Sequence, residues 1–584
     1  MGMPNTIERC TLMNVALGKE KADLVIAGGD LVDVYSGEIL KGYSVAVKGE
    51  RVASIAEKLD HTIGPGTKVI DASGKTIIPG LVDGHTHLTG TPTYYTPYEF
   101  LRYAMKGGNT TIITETMEMA FVQGYSGLVE LLEALKNQPI KFFATVPAVN
   151  TLSEELKQRA VDIESLTRLM RCPMVVGIGE TYWQTVTQEN ERFWELSSRA
   201  LELGKTLEGH AAGAQKEKLT AYLCSGVSSC HESINSEEAL EKLRQGIFVM
   251  MREGSVRKDL EAISRLKDEK IDFRRLVLVT DDVGPQELIE KGYMEFVVQK
   301  AIDLGFNPVT AIQMATLNPA EHFHLDGFLG GIAPGRYADI LVIPDPRTIQ
   351  PEYVISNGKL IAHRGELLVE PRKFNFSRGS VGNSRRIAAI DLAISTKSKR
   401  QAKVRVINQV TGLVTKEFLA DLPILDGEIK ADPAQDILKA ALLSSGGRIF
   451  TGFIKGFGLS QGAIATSAPW DTCAIVSVGA TGEDIAGAVN RVIDLGGGIA
   501  VYSNNKIQAE LPLPIAGILS DLPLETIVQK LQEIQKKLGE LGCFLLDPIL
   551  TLATIATPAI PFLRLSEDGL VDVKSGKVVD LIVD

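Results

Sequence analysis

The sequence predicts an α/β protein: a (β/α)8 barrel of TIM type, a small β-sandwich module built from both sides of that barrel, and a C-terminal α/β domain. Three observations predict it. Short alternating strands fill residues 22–78, strand and helix segments then alternate for about two hundred residues, and further short strands follow before a polar linker. The expected division is 1–75 for the β module, 76–328 for the barrel, 329–370 for the return to the module and 371–584 for the C-terminal domain.

Composition bounds the function. A chain of 584 residues is too long for one ordinary core. With 45% hydrophobic and 23% charged residues it reads as a soluble globular protein. A net charge of −11 argues against a nucleic-acid partner, whose phosphates need a basic face. No apolar run reaches membrane-spanning length, and Met1–Glu8 lacks the pattern of a secretory signal. The six cysteines are scattered without a C-x-x-C pair, which suits reduced thiols in the cytoplasm.

The module strands are Ala22–Ala27, Leu31–Val34, Tyr43–Lys48, Arg51–Ala56 and Lys68–Ile70, separated by turn pairs such as Gly28-Gly29. Eight barrel strands follow: Thr76–Val82, Thr110–Thr114, Phe142–Pro147, Met174–Gly179, Thr206–Gly209, Gly226–Cys230, Ile247–Met251 and Leu276–Thr280. Helices are expected between them at Pro97–Met105, Ser126–Leu135, Ser153–Met170, Glu189–Leu203, Lys216–Cys224, Ser236–Leu243 and Arg257–Leu266. Thr96 before Pro97, and Ser236 before Glu237-Glu238, read as N-caps. After a helix at Pro308–Ala320, strands near Ile340, Tyr353–Ser356 and Lys359–Ala362 can rejoin the module, and residues 367–388 read as a linker. The glycine run 496–498 follows a helix rather than a strand, so it reads as a turn and not as a phosphate cradle.

In a (β/α)8 barrel the functional groups gather at the C-terminal ends of the strands. Here His85 and His87 close the first strand, and their i, i+2 spacing aims both imidazoles at one point. Glu115 and Glu118 follow the second strand, Glu180 the fourth and His210 the fifth. His231 and Glu232 follow the sixth, and Asp281 and Asp282 the eighth. Imidazoles and carboxylates converging on one mouth are the donor set of a divalent metal site.

These residues carry a resemblance. Pro79–His87, Gly177–Glu180, Gly209-His210-Ala211, Ser228–Glu232, Arg252–Ser255, Thr280-Asp281-Asp282, Ala311–Asn318 and Ile332–Gly335 together resemble the amidohydrolase superfamily and, within it, the adenine deaminase family. Ala488–Arg491, Leu511–Gly517 and Gly569–Val573 extend the likeness through the C-terminal domain. The resemblance implies two divalent ions per subunit (manganese, iron or zinc), one on His85 and His87, the other on His210 and His231. Glu180 would bridge them, with Glu118 as the alternative bridge, and Asp281 would bind metal and accept a proton from the activated water. Glu115 and Glu118 are catalytic candidates that either contact a heterocycle and shuttle protons or are solvated loop carboxylates. The implied activity is hydrolytic deamination of adenine, a small heterocycle, to hypoxanthine and ammonia by a homo-oligomer, expected as a dimer. The alternatives are the same machinery on a substituted purine, pterin or cyclic amide, or a non-catalytic purine-binding relative.

The chain departs from the family where substrate is expected. Glu115-Thr116-Met117-Glu118 replaces Asp-Pro-His-Glu, Leu88-Thr89-Gly90-Thr91 replaces Ile-Glu-Ser-Ser, and Trp470-Asp471-Thr472-Cys473-Ala474 replaces His-Asp-Ser-His-Asn. Cys230 stands where an aspartate is usual. Such changes alter which polar edges a ligand can present, because an unpaired buried polar group is costly.

Overall fold

The computed structural model describes residues 2–148, 153–188, 190–379, 385–397, 400–560 and 562–583. Eight parallel strands form the barrel: Leu81–His87, Asn109–Glu115, Lys141–Val146, Val175–Tyr182, Thr206–His210, Ser229–Cys230, Phe248–Arg252 and Leu276–Val279. The seams close through loop backbone. The Ser228 N–H donates to the Leu207 carbonyl at 3.0 Å, joining strands five and six. At the other seam the His87 N–H donates to the Asp281 carbonyl at 2.7 Å, and the Asp281 N–H to that of His85 at 3.0 Å. Closing the barrel therefore draws three of the expected site residues together. Val82, Ile113, Phe143, Val176, Met250 and Val277 fill the interior with Phe323 and Leu325, as the layered core of such a barrel requires.

The expected first strand, Thr76–Val82, is two strands. Thr76–Pro79 pairs with Leu24–Asp33 and with Ile340–Ile343 in the module, and only Leu81–His87 enters the barrel. Gly80 makes the passage. A Cβ there would lie 2.3 Å from Thr110 Oγ1, so no other residue lets the chain cross so close to the second strand. The module itself is one nine-stranded sheet from both sides of the barrel. It curls back on itself, with the Val52 N–H donating to the Arg336 carbonyl at 3.0 Å and the Ala338 N–H to that of Glu50 at 2.8 Å. Ile26, Val45, Val52, Ile77, Ile340 and Ile355 form its core. Several helices were not expected from the sequence, Pro285–Lys291, Met294–Asp303 and Leu524–Glu540 among them; another, Thr6–Ala16, starts from a capping box of Asn5 and Glu8.

Other bounds shift for local reasons. The helix expected at Ser153–Met170 breaks into Glu154–Arg159 and Ile163–Met170, because Asp162 caps a new start. Asn235 rather than Ser236 caps Ser236–Arg244, its side chain accepting from Glu238 N. Glu189 lies outside the described residues, and the helix there is Glu191–Glu202, capped by Asn190. Of the expected linker, residues 380–384 lie outside the described residues. Its earlier part is tied down, since Arg372 donates to the Lys136 and Ala134 carbonyls.

The C-terminal domain, expected as α/β, is built mainly on an antiparallel nine-stranded sheet. The helices Gly482–Asp494 and Leu524–Glu540 pack on its strands. The glycine run does form the turn into Gly498–Ser503.

A buried ion pair joins barrel and module. Lys141 Nζ at the start of strand three lies 2.7 Å from both oxygens of Asp339, with Lys141 3% and Asp339 7% exposed. Removing one partner leaves the other charge buried and uncompensated. Asp339→Ala is expected to destabilise the fold by about 3 kcal/mol or more, read as a fall in the denaturant midpoint at unchanged slope.

Candidate metal centre

The first barrel strand runs through its histidines, so His85 and His87 point inward with the same pleat. Their Nε2 atoms lie 3.4 and 3.2 Å from Glu180 Oε1, which strand four delivers inside its own span Val175–Tyr182. Asp281 Oδ1 stands 3.1 Å from His85 Nε2 and 3.7 Å from His87 Nε2. On the other side, His231 Nε2 lies 3.3 Å from Glu180 Oε1, and His210 Nδ1 lies 3.4 Å from Glu180 Oε2. The two ring nitrogens of that pair are 3.2 Å apart.

The donors thus form two groups, His85–His87–Glu180–Asp281 and Glu180–His210–His231, each with its ligand atoms within 4.8 Å of one another. Imidazole nitrogens and carboxylate oxygens at this spacing fit divalent ions of the zinc, iron or manganese type. Glu180 belongs to both groups; Glu118 belongs to neither.

Glu115 and Glu118 stand behind the strand-one histidines. Glu118 Oε1 lies 2.6 Å from His87 Nδ1, and Glu118 Oε2 accepts from the Thr89 hydroxyl at 2.9 Å. Glu115 Oε1 lies 3.6 Å from His85 Nδ1, and Glu115 Oε2 accepts from the Thr145 hydroxyl at 2.7 Å. A Cβ at Gly179 would lie 1.9 Å from Glu115 Oε2, so the glycine before Glu180 makes room for this carboxylate. A carboxylate on the outer nitrogen fixes an imidazole's orientation and raises its basicity as a ligand. Asp282 turns away from the donors and accepts from the Ser255 and Val256 N–H groups at 3.1 Å.

Sequence reasoning gave three residues here no role in the site. Arg252, buried at the end of strand seven, is paired with Glu232 and reaches Asp281 Oδ2 at 3.4 Å. Tyr182, two residues past Glu180, packs its ring against His210 at 4.5 Å between centroids. Asp471 comes from the C-terminal domain and accepts from the Tyr182 hydroxyl at 3.2 Å. Arg252 lies in a quoted motif whose pairing only the fold reveals.

Charge balance at the donors is set by these neighbours. Burial disfavours the His85 imidazolium, but Asp281 and Glu180 override it and raise His85 to about 10. His87 is likewise held well above its ordinary value against burial, by Glu118 and Glu180. Burial opposes ionisation of Asp281 too, yet His85, His231 and Arg252 keep it far below the usual carboxylate range. A divalent ion reaching the two strand-one histidines therefore competes with protons. Its apparent affinity is expected to rise with pH up to about 10, where His85 loses its proton, by up to about tenfold per unit for each proton displaced. Calorimetric titration in buffers of different ionisation enthalpy would measure that release.

The chain is similar to known proteins along nearly its whole length. Residues 76–361 match the amidohydrolase family and residues 412–577 the adenine deaminase C-terminal domain. The chain is 36% identical over 585 residues to the adenine deaminase of Moorella thermoacetica, covering 98% of this chain and 97% of that one. It is 36% identical over 574 residues to that of Dehalococcoides mccartyi, covering 97% and 98%. With the adenine deaminase of Staphylothermus marinus it shares 33% over 594 residues, covering 98% of each. Identity at this level over both domains has one meaning: the chain belongs to the adenine deaminase family of amidohydrolases.

Proposed function

We propose that this protein hydrolyses adenine to hypoxanthine and ammonia at the barrel mouth. The observation that carries the reading is Glu180, one carboxylate shared by two donor groups, with Asp281 Oδ1 3.1 Å from His85 Nε2 beside it. In this reading His85, His87, Glu180 and Asp281 hold one divalent ion, and Glu180, His210 and His231 the other. Bound there, the ions lower the pKa of water toward neutrality.

The chain's own residues do the rest. Deamination adds the elements of water at the amidine carbon and expels the amino group as ammonia, so a proton must travel from water to the departing nitrogen. Asp281 is placed to carry it. Arg252 and His85 hold its two oxygens in one orientation and favour its charged form, the form that can accept a proton. Glu115 and Glu118 serve the imidazoles of strand one rather than the heterocycle, a role their contacts with His85 and His87 support. The donor set suits manganese, iron or zinc. We further assign the protein to the cytoplasm, a reading supported by six free thiols, and read it as a homo-oligomer. Among the described residues no helix is long and apolar enough to cross a membrane.

Ammonia release measured over adenine, substituted purines, pterins and cyclic amides tests the substrate. Adenine is expected to be the best donor; ammonia from another heterocycle but none from adenine, with the ions fully loaded, rejects the assignment.

A further inference from the structure

One short segment of the C-terminal domain, residues 468–473, touches the barrel mouth at or after three different strands. After strand one, the Trp470 Nε1–H donates to the Thr91 carbonyl at 2.8 Å, and the Thr91 hydroxyl donates to the Ala468 carbonyl at 2.7 Å. After strand three, Arg159 Nη1 donates to Cys473 Sγ at 3.4 Å. At the end of strand four, the Tyr182 hydroxyl donates to Asp471, 3.2 Å from Oδ1 and 3.4 Å from Oδ2. Asp471 is 6% exposed, and its Oδ2 also accepts from the Thr557 hydroxyl within the C-terminal domain. A buried carboxylate bonded on both sides cannot turn without leaving a donor unpaired, which is costly.

Tyr182 carries this restraint to the metal centre. It lies two residues past Glu180 on the same strand, and its ring rests on His210 with centroids 4.5 Å apart and planes tilted by 42°. His210 is held at its backbone, where the N–H donates to the Tyr222 hydroxyl at 3.0 Å. Its ring is then set by the groups around it. His85 and His87 are backed by Glu115 and Glu118; His210 is backed by the face of Tyr182. We propose that Asp471 and Tyr182 are a positioning pair, through which the C-terminal domain fixes the ring of His210 for the Glu180–His210–His231 ion. Neither residue is a ligand in this account. Each acts through the imidazole, as outer groups around metal ligands do. The inference rests on the metal reading above, and it assigns the C-terminal domain a part in the site.

The test is titration of the metal-depleted full-length protein with Mn(II) alone, by calorimetry and by the electron-spin signal of free Mn(II). It compares wild type, Tyr182→Phe, Asp471→Asn and the double variant. Wild type is expected to bind two ions. Each single variant keeps one ion at wild-type affinity and binds the second about tenfold or more weakly. The double variant loses no more than the worse single one, because the two residues act as one unit. Tyr182→Phe keeps the ring, so it reports on the hydroxyl even where Asp471→Asn fails to fold. Unchanged affinity for the second ion, equal weakening of both ions, or additive losses in the double variant would overturn the pair. Wild type binding fewer than two ions would overturn the metal reading itself, which is a different result.

Discussion

Glu180→Gln is expected to lose the ion pair and lower kcat/KM by roughly a thousandfold or more, about 4 kcal/mol of transition-state stabilisation. The reason is geometric. Glu180 Oε1 lies within 3.2–3.4 Å of the Nε2 atoms of His85, His87 and His231, while Oε2 faces His210. Burial opposes the charge of Glu180, but His231 and His210 hold it well below the ordinary carboxylate value. An amide of the same shape removes the one charge common to both donor groups and aims a donor N–H at sites built for cations. Metal analysis after gel filtration should find fewer than two ions per chain. Two retained ions with wild-type turnover would remove Glu180 from the centre.

Asp281→Asn should act differently. The side chain keeps its shape and its place at the closing seam of the barrel, where the backbone of Asp281 pairs with those of His85 and His87. What is lost is the carboxylate that the proposed mechanism uses to take and return the proton, together with its charge in the His85–His87–Glu180–Asp281 group. General acid–base groups contribute about 10²- to 10⁴-fold, so kcat is expected to fall by about a thousandfold. KM should change little, because the missing interaction belongs to the transition state. The Glu180–His210–His231 ion should remain. Turnover unchanged at full metal loading would refute the proton-carrying role.

Much of this centre was legible because strand pairing and the barrel obey local rules. His85 and His87 share a face by the two-residue pleat, and Glu180, His210, His231 and Asp281 each sit where a strand meets the mouth. The split at Gly80 was not legible, since the apolar run Thr76–Val82 has one pattern in both sheets it serves. Nor was the placement of Glu115 and Glu118. Sequence spacing puts them near the mouth, but only the fold shows that they face the far nitrogens of His85 and His87. The departures from the family pattern also change meaning in three dimensions. Trp470 ties its indole N–H to the Thr91 backbone, and Met117 lines a small apolar cavity of about 30 Å³ beside Pro147 and Leu156. Asp471 and Tyr182, 289 residues apart, meet only after two domains have packed, and no periodicity can announce such a contact.

The most direct measurement is the rate of ammonia release from adenine against the number of bound ions, as metal-depleted protein is reloaded. The account predicts negligible turnover without ions, a steep rise as both donor groups fill, and equal amounts of hypoxanthine and ammonia. Full turnover from protein stripped of metal, or none from adenine with both groups filled, would contradict it.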